Sequence, residues 1–132
     1  MYLIDTNIFL EIMLKQKKSE ECKFFLTQIQ NSEDYFYVSS FSIHSIEVIM
    51  TKKNKIESLS KFLTFLSKSK IIRIDSTTQE EAEILDLMLS NQLDFDDALQ
   101  LYLCQKNNLK IISYDKHFDQ TQIKRVEPKD LL

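Results

Sequence analysis

Short apolar runs alternate with longer amphipathic stripes along the whole chain. Tyr2-Leu3-Ile4 is too short for a helix and reads as a strand. Ile8–Leu14 is apolar nearly all round, as in a well-buried helix. Cys22, Phe25, Leu26 and Ile29 follow at i, i+3, i+4 and i+7, one helix face, with Ser19 as the expected N-cap and Glu20-Glu21 in the first turn. Tyr35–Val38 predicts a second strand, closed by Ser39-Ser40, and a helix is expected from about Ser42 to Lys52. Leu59, Phe62, Leu63 and Leu66 mark the next helix, and Ile71–Ile74 a third strand. Ser76-Thr77-Thr78 before Glu80-Glu81 has capping-box spacing and opens a helix to about Ser90, with Ala82, Leu85 and Leu89 as its expected core face. A further helix starts among the aspartates at 94–97 and runs through Tyr102, Leu103 and Cys104. Lys110–Ser113 is a fourth strand, His117-Phe118-Asp119 a short turn or helix, and Arg125–Glu127 a last short strand before Pro128.

Strands and helices alternate, and no two strands are joined by a two-residue hairpin turn. That order predicts a parallel sheet covered by helices on both faces, in one domain spanning residues 1–132. The chain contains no glycine and a single proline. Glycine-rich phosphate loops are therefore excluded. Helices must end without glycine, and Asn31, Asn54, Asn91 and Asn107-Asn108 stand where the left-handed turns are expected.

Composition adds limits. No apolar run approaches the ~20 residues needed to span a membrane, and the N-terminus lacks the order of a signal peptide. Cys22 and Cys104 lie among apolar neighbours and are expected to be reduced, buried thiols of a cytoplasmic protein. Cys and His are too few for a structural zinc site. The net charge of −3 argues against coating nucleic acid with a broad basic surface. It leaves open an enzyme that meets a phosphate backbone through bound metal.

The informative residues are carboxylates. Asp5 lies between the apolar runs Tyr2–Ile4 and Ile8–Leu10, followed by Thr6-Asn7, and burying an unpaired carboxylate is expensive. It is either a helix cap or a group at the carboxyl end of a strand, where open α/β sheets bind ligands. Asp115 repeats the arrangement after Ile111-Ile112-Ser113. Glu47 falls on the stripe Ile43, Ile46, Met50 and is either at its edge or held inward by a partner such as a metal. Asp96 and Asp97 flank the apolar arc of their helix, and periodicity does not choose between them. If Asp5, Glu47, Asp97 and Asp115 converge, pairs ~5 Å apart repel by roughly 3 kcal/mol at an effective dielectric of ~20. Protonation or a divalent cation relieves this, and an all-oxygen site suits Mg²⁺ or Mn²⁺. His44 and His117 are expected to be surface or packing residues.

Together, YLIDTNIFL at the start, Glu47 in SSFSIHSIEVI, DFDDAL at 94–99 and IISYDKHF at 111–118 resemble the PIN-domain nucleases, and among them the small VapC-type toxins of toxin–antitoxin pairs. The resemblance covers nearly the whole chain. It implies a three-layer α/β/α fold with about five parallel strands and a Mg²⁺- or Mn²⁺-dependent endoribonuclease. It matches Asp5, Glu47, Asp97 and Asp115 to the four acidic positions, Asp97 because the family's aspartate precedes Ala-Leu. Ser113 matches a Thr/Ser, Asn7 matches the polar residue after the first Asp, and Thr6 lies between Asp5 and Asn7. Asp94 and Asp119 are acidic extras expected to reach the metal through water. By the same analogy an RNA substrate, a homodimer and an antitoxin whose tail fills the acidic groove are expected. Two rivals remain. One is a metal-binding phospho-acceptor signalling domain, for which Lys124 is the nearest candidate lysine. The other is a PIN-fold binding module without nuclease activity.

Overall fold

The computed structural model describes residues 1–132. Five strands, β1 (Tyr2–Ile4), β2 (Phe36–Ser39), β3 (Ile72–Ile74), β4 (Lys110–Ile112) and β5 (Arg125–Val126), form one sheet in the order β3-β2-β1-β4-β5. Every neighbouring pair is parallel, as the alternation predicts. Six helices connect them: α1 (Thr6–Met13), α2 (Ser19–Gln28), α3 (Ser40–Lys52), α4 (Ile56–Lys68), α5 (Thr78–Asn91) and α6 (Phe95–Asn107). No helix is long and apolar enough to cross a membrane.

A parallel sheet needs cover on both faces. Strand residues alternate accordingly. Ile4, Phe36, Val38 and Ile112 pack into one core with Phe9, Phe25, Ile46 and Phe62 from α1–α4. Leu3 and Ile111 point the other way, toward Ile84 of α5 and Leu99 and Leu103 of α6. The chain places β1, β2 and β3 side by side. It then crosses back through α5 and α6 to set β4 on the far side of β1. That reversal opens a crevice at the carboxyl ends of β1 and β4, the position where open α/β sheets bind ligands. The register pairs Ile4 with Ile112, so the next residues out, Asp5 and Ser113, arrive side by side.

Local signals hold with informative exceptions. The capping box forms between Thr77 and Glu80, with bonds of 2.9 and 3.1 Å. Ser19 is the first residue of α2 rather than its cap, a place taken by Lys18 without a side-chain bond. Asn54 and Asn108 adopt the left-handed conformation as expected, but so do Lys15 and Gln92. Asn91 and Asn107 instead turn their amides back to the carbonyls of Leu87 and Leu103, at 3.2 and 2.9 Å. These bonds keep both residues helical and pass the left-handed turn to the residue after. Asn31 closes a 3₁₀ turn, and Ser32 after it is extended.

The core face of α5 corrects the expectation. Ile84 is fully buried, whereas Ala82 is exposed and Leu85 and Leu89 are 52% and 81% exposed. The sequence offers two apolar stripes on this helix, and contacts with α6 select one. Tyr102 donates to Glu80 at 3.1 Å and Glu83 at 3.4 Å, and Lys106 pairs with Glu80. With Glu80 and Glu83 turned to α6, Ile84, Leu87 and Met88 follow them inward, and Leu85 and Leu89 fall on the opposite side. Ile84→Ala is expected to lower the unfolding free energy by about 2–4 kcal/mol, and Leu89→Ala to change it by less than about 0.5 kcal/mol, in urea titrations of both variants.

Candidate functional site

Asp5 leaves β1 in an extended conformation and caps α1. Its Oδ1 accepts from the backbone N–H of Thr6 at 2.8 Å and from Gln100 Nε2 at 3.0 Å. Its Oδ2 accepts from Ser113 Oγ at 2.6 Å and Asn7 Nδ2 at 3.3 Å. Capping and a place in the strand-end crevice are therefore compatible roles for one carboxylate. Four donors favour its charged form, yet Asp5 is only 7% exposed and burial outweighs them, so its pKa is raised.

Ser113 makes the junction between the strands. It is fully buried, donates to Asp5, and accepts from Asn7 Nδ2 at 3.0 Å and the Asp115 backbone N–H at 2.9 Å. Arg125 of β5 secures the same segment through a 3.0 Å bond from Nη1 to the Ser113 carbonyl. The rest of that guanidinium grips both oxygens of Asp119 at 2.8 and 3.2 Å. Asp119, expected near the metal, is committed to Arg125 and does not line the crevice.

The α6 N-terminus supplies the next group. Asp97, in its first turn, faces the crevice, and Gln100 lies one turn further on the same side. Gln100 is 2% exposed, and its Nε2 also donates to Ser42 Oγ of α3 at 3.0 Å. Its Oε1 has no partner. Asp96 lines the crevice too, while Asp94, the expected extra, is exposed before the helix and does not. The result is a cavity of about 550 Å³ that joins Asp5, Thr6, Asn7, Asp97 and Asp115 and has Phe41 and Phe95 in its wall.

Glu47 is not brought to this cavity. The residues of α3 that line it are Ser45 and Ile49. At 3.6 residues per turn, Glu47 lies about 180° from the midpoint of those two. It sits on the other edge of the buried stripe, with Oε1 2.8 Å from His44 Nδ1. The stripe position seen in the sequence is thus an edge position, and its partner is a histidine.

One oxygen each of Asp97 and Asp115 and a ring nitrogen of His117 lie within 4.8 Å of one another. Burial, then the charges of Asp115, Asp96 and Asp5, push Asp97 up to about 7. His117, expected at the surface, is 70% exposed but stands against this cluster, 3.0 Å from Asp115. Gln100 and His117 are the site residues that the hydrophobic pattern did not single out. The only sequence signal for Gln100 was its i+3 spacing from Asp97 at the rim of the apolar arc.

A model of the PIN domain family matches residues 2–124. The chain belongs to the PIN-domain family. Solved structures agree with this fold. A toxin–antitoxin complex from Klebsiella pneumoniae superposes with a TM-score of 0.73 at 22% identity, covering 97% of this chain and 98% of that one. VapC20 of Mycobacterium tuberculosis, a sarcin–ricin loop cleaving toxin, gives 0.79 at 9% identity over 96% and 98%. VapBC2 from Rickettsia felis, bound to a DNA fragment from its promoter, gives 0.74 at 18% identity over 96% and 97%. No curated protein sequence matches significantly. In this PIN domain Asp5, Asp97 and Asp115 share the strand-end crevice, and Glu47, Asp94 and Asp119 stand outside it.

The raised pKa of Asp97 has a stability consequence. From its ordinary value of 3.8 to about 7, the folded chain holds a proton that the unfolded chain has released. Stability of the metal-free protein is therefore lost as pH rises through that window. In EDTA, Asp97→Asn is expected to exceed the wild type in stability by on the order of 2 kcal/mol at pH 7.5, solvent screening included, with the difference vanishing near pH 4. Denaturant unfolding at the two pH values checks it.

Proposed function

We propose that this PIN domain is a divalent-metal-dependent endoribonuclease and the toxin of a toxin–antitoxin pair. The observation that carries the reading is the convergence of Asp5, Asp97 and Asp115, from three separate elements, on one cavity with no basic residue in its lining. Like charges gathered this way are unfavourable unless a cation or protons offset them.

The residues fit a hard divalent cation. Nearly all the polar lining is oxygen from carboxylates, amides and hydroxyls, and Gln100 presents a buried acceptor without a partner. Asp5, Asp97 and Asp115 would hold Mg²⁺ or Mn²⁺, which supplies the positive charge that activates water and offsets charge on a phosphodiester. The chain's own part is positioning. Ser113, Asn7 and Gln100 fix the Asp5 carboxylate, and Ser113 also fixes the backbone of Asp115. Phe41 and Phe95 offer aromatic faces in the cavity wall, suited to unstacked bases of single-stranded or loop RNA. Hydrolysis is expected to leave a 5′-phosphate and a 3′-hydroxyl.

The structural neighbours support the toxin reading, since they include a toxin–antitoxin complex and a sarcin–ricin loop cleaving toxin. The exposed apolar stripe Ala82, Leu85 and Leu89 on α5 supports burial against another protein chain, an antitoxin or a second copy. Two unpaired, buried thiols suit the reducing cytoplasm. The phospho-acceptor alternative finds no support, because Lys124 precedes β5 and therefore stands at the amino end of the sheet, away from Asp5. A binding module without activity is disfavoured by the three carboxylates retained in the crevice.

Fluorescent single-stranded and stem-loop RNA should be cut with Mg²⁺ or Mn²⁺, and EDTA should stop the reaction. Asp5→Asn, Asp97→Asn and Asp115→Asn are each expected to lose at least about a hundredfold in rate. Glu47→Gln should stay within about threefold of wild type, because its side chain stands outside the cavity. Undiminished cleavage by Asp5→Asn sinks the proposal.

A further inference from the structure

His117 is outside the crevice lining, but it is the one imidazole that stands beside two of its carboxylates, Asp97 and Asp115. It lies in the 3₁₀ turn Lys116–Gln120 that follows β4. Asp115 caps this turn by accepting from the His117 backbone N–H at 2.9 Å. That contact ties the start of the turn to the end of β4. Its Nδ1 is 3.0 Å from Asp115 Oδ1 and 4.0 Å from Asp97 Oδ2. All three ligand atoms fall within 4.8 Å of one another, near the ~3–4.5 Å separations that donors about 2.1 Å from one ion impose.

A second observation is independent of the histidine. Gln100 lines the same crevice, and its Oε1 is buried without a hydrogen-bond partner. A buried acceptor left without a partner is unfavourable. A lining residue that carries such an acceptor, beside Asp5, Asp97 and Asp115, favours an electropositive or hydrated occupant.

We propose that His117 is a nitrogen ligand, beside Asp97 and Asp115, of the divalent cation held in this crevice, and that it biases the site toward Mn²⁺ over Mg²⁺. The inference rests on the metal-site reading above and adds the nitrogen donor to it. Imidazole suits transition metals, whereas Mg²⁺ prefers oxygen alone. The ring nitrogen stands 3.0 Å from Asp115 Oδ1, an ion-pairing distance, while the hydrogen bond between the two residues is made by the His117 backbone N–H. Ligation through Nδ1 leaves Nε2 to carry the ring proton, which the 70% exposure of the side chain permits. Backbone contacts already position the turn, so ligation requires no refolding.

The test uses the full chain and the metals alone. Calorimetric titration with Mn²⁺ and with Mg²⁺ is paired with pulsed electron paramagnetic resonance of the Mn²⁺ complex, which detects directly bound imidazole nitrogen. Wild type should show nitrogen coupling. His117→Ala should lose that coupling and weaken Mn²⁺ about tenfold while leaving Mg²⁺ within about twofold. His44→Ala should keep the coupling, since His44 pairs with Glu47 away from the crevice. Absence of nitrogen coupling in wild type overturns the inference, as does an equal loss of both metals in His117→Ala; a histidine that is only a counter-ion for Asp115 gives the first result. Failure of wild type to bind either metal overturns the metal-site reading itself, and with it the role of His117.

Discussion

The structure depends on one contact, the hydrogen bond from Ser113 to Asp5 across the carboxyl ends of β1 and β4. These strands are neighbours only because the chain crosses back over β1 after β3. Their register then brings a hydroxyl against a carboxylate that would be costly to bury alone. The same carboxylate draws in α6 through Gln100, and Gln100 reaches α3 through Ser42. Thr6 meets Ser42 from α1 at 2.7 Å. A buried polar network thus ties two strands and three helices to one point. Such networks rigidify when nearly every group is satisfied. Here the exceptional group is the buried oxygen of Gln100, a residue that lines the crevice.

Charge sets this point apart from a purely structural junction. The N-termini of α1 and α6 both lie at the crevice, and their partial positive charge favours Asp5, Asp96 and Asp97 there. That help is incomplete. Asp97 is still pushed up to about 7, with burial the largest cause. Arg125, the guanidinium that reaches the end of β4, is spent on Asp119, Glu127 and the Ser113 carbonyl and does not line the crevice. The crevice keeps an excess of negative charge held by rigid supports, an arrangement that a cation or protons would offset.

Much of this was legible in the sequence because it is local. A three-residue apolar run ending in Asp, capping residues before helices, and strand-helix alternation follow from steric and hydrogen-bonding rules that act over a few residues. They were enough for the parallel sheet, its strands and the placement of Asp5 and Asp115 at strand ends. The assignment of Asp97 over Asp96 came from the family pattern. The structure puts both at the crevice, with Asp97 the less exposed.

What only the tertiary structure decided is where helix faces point and which polar groups meet. The sequence pattern put Ala82, Leu85 and Leu89 on the inward face of α5, and Tyr102 and Lys106 of α6 turn the stripe with Ile84 inward instead. Glu47 occupied an inward-looking stripe, yet packing turns Ser45 and Ile49 to the crevice and leaves Glu47 to His44. Gln100 and His117 gained their places through residues far away in the chain or through a turn whose geometry Asp115 sets. A sequence determines a helix's periodicity by itself, because that is a property of its own backbone. The rotation of the helix about its axis is determined by the neighbours it packs against, and these are known only once the chain has folded.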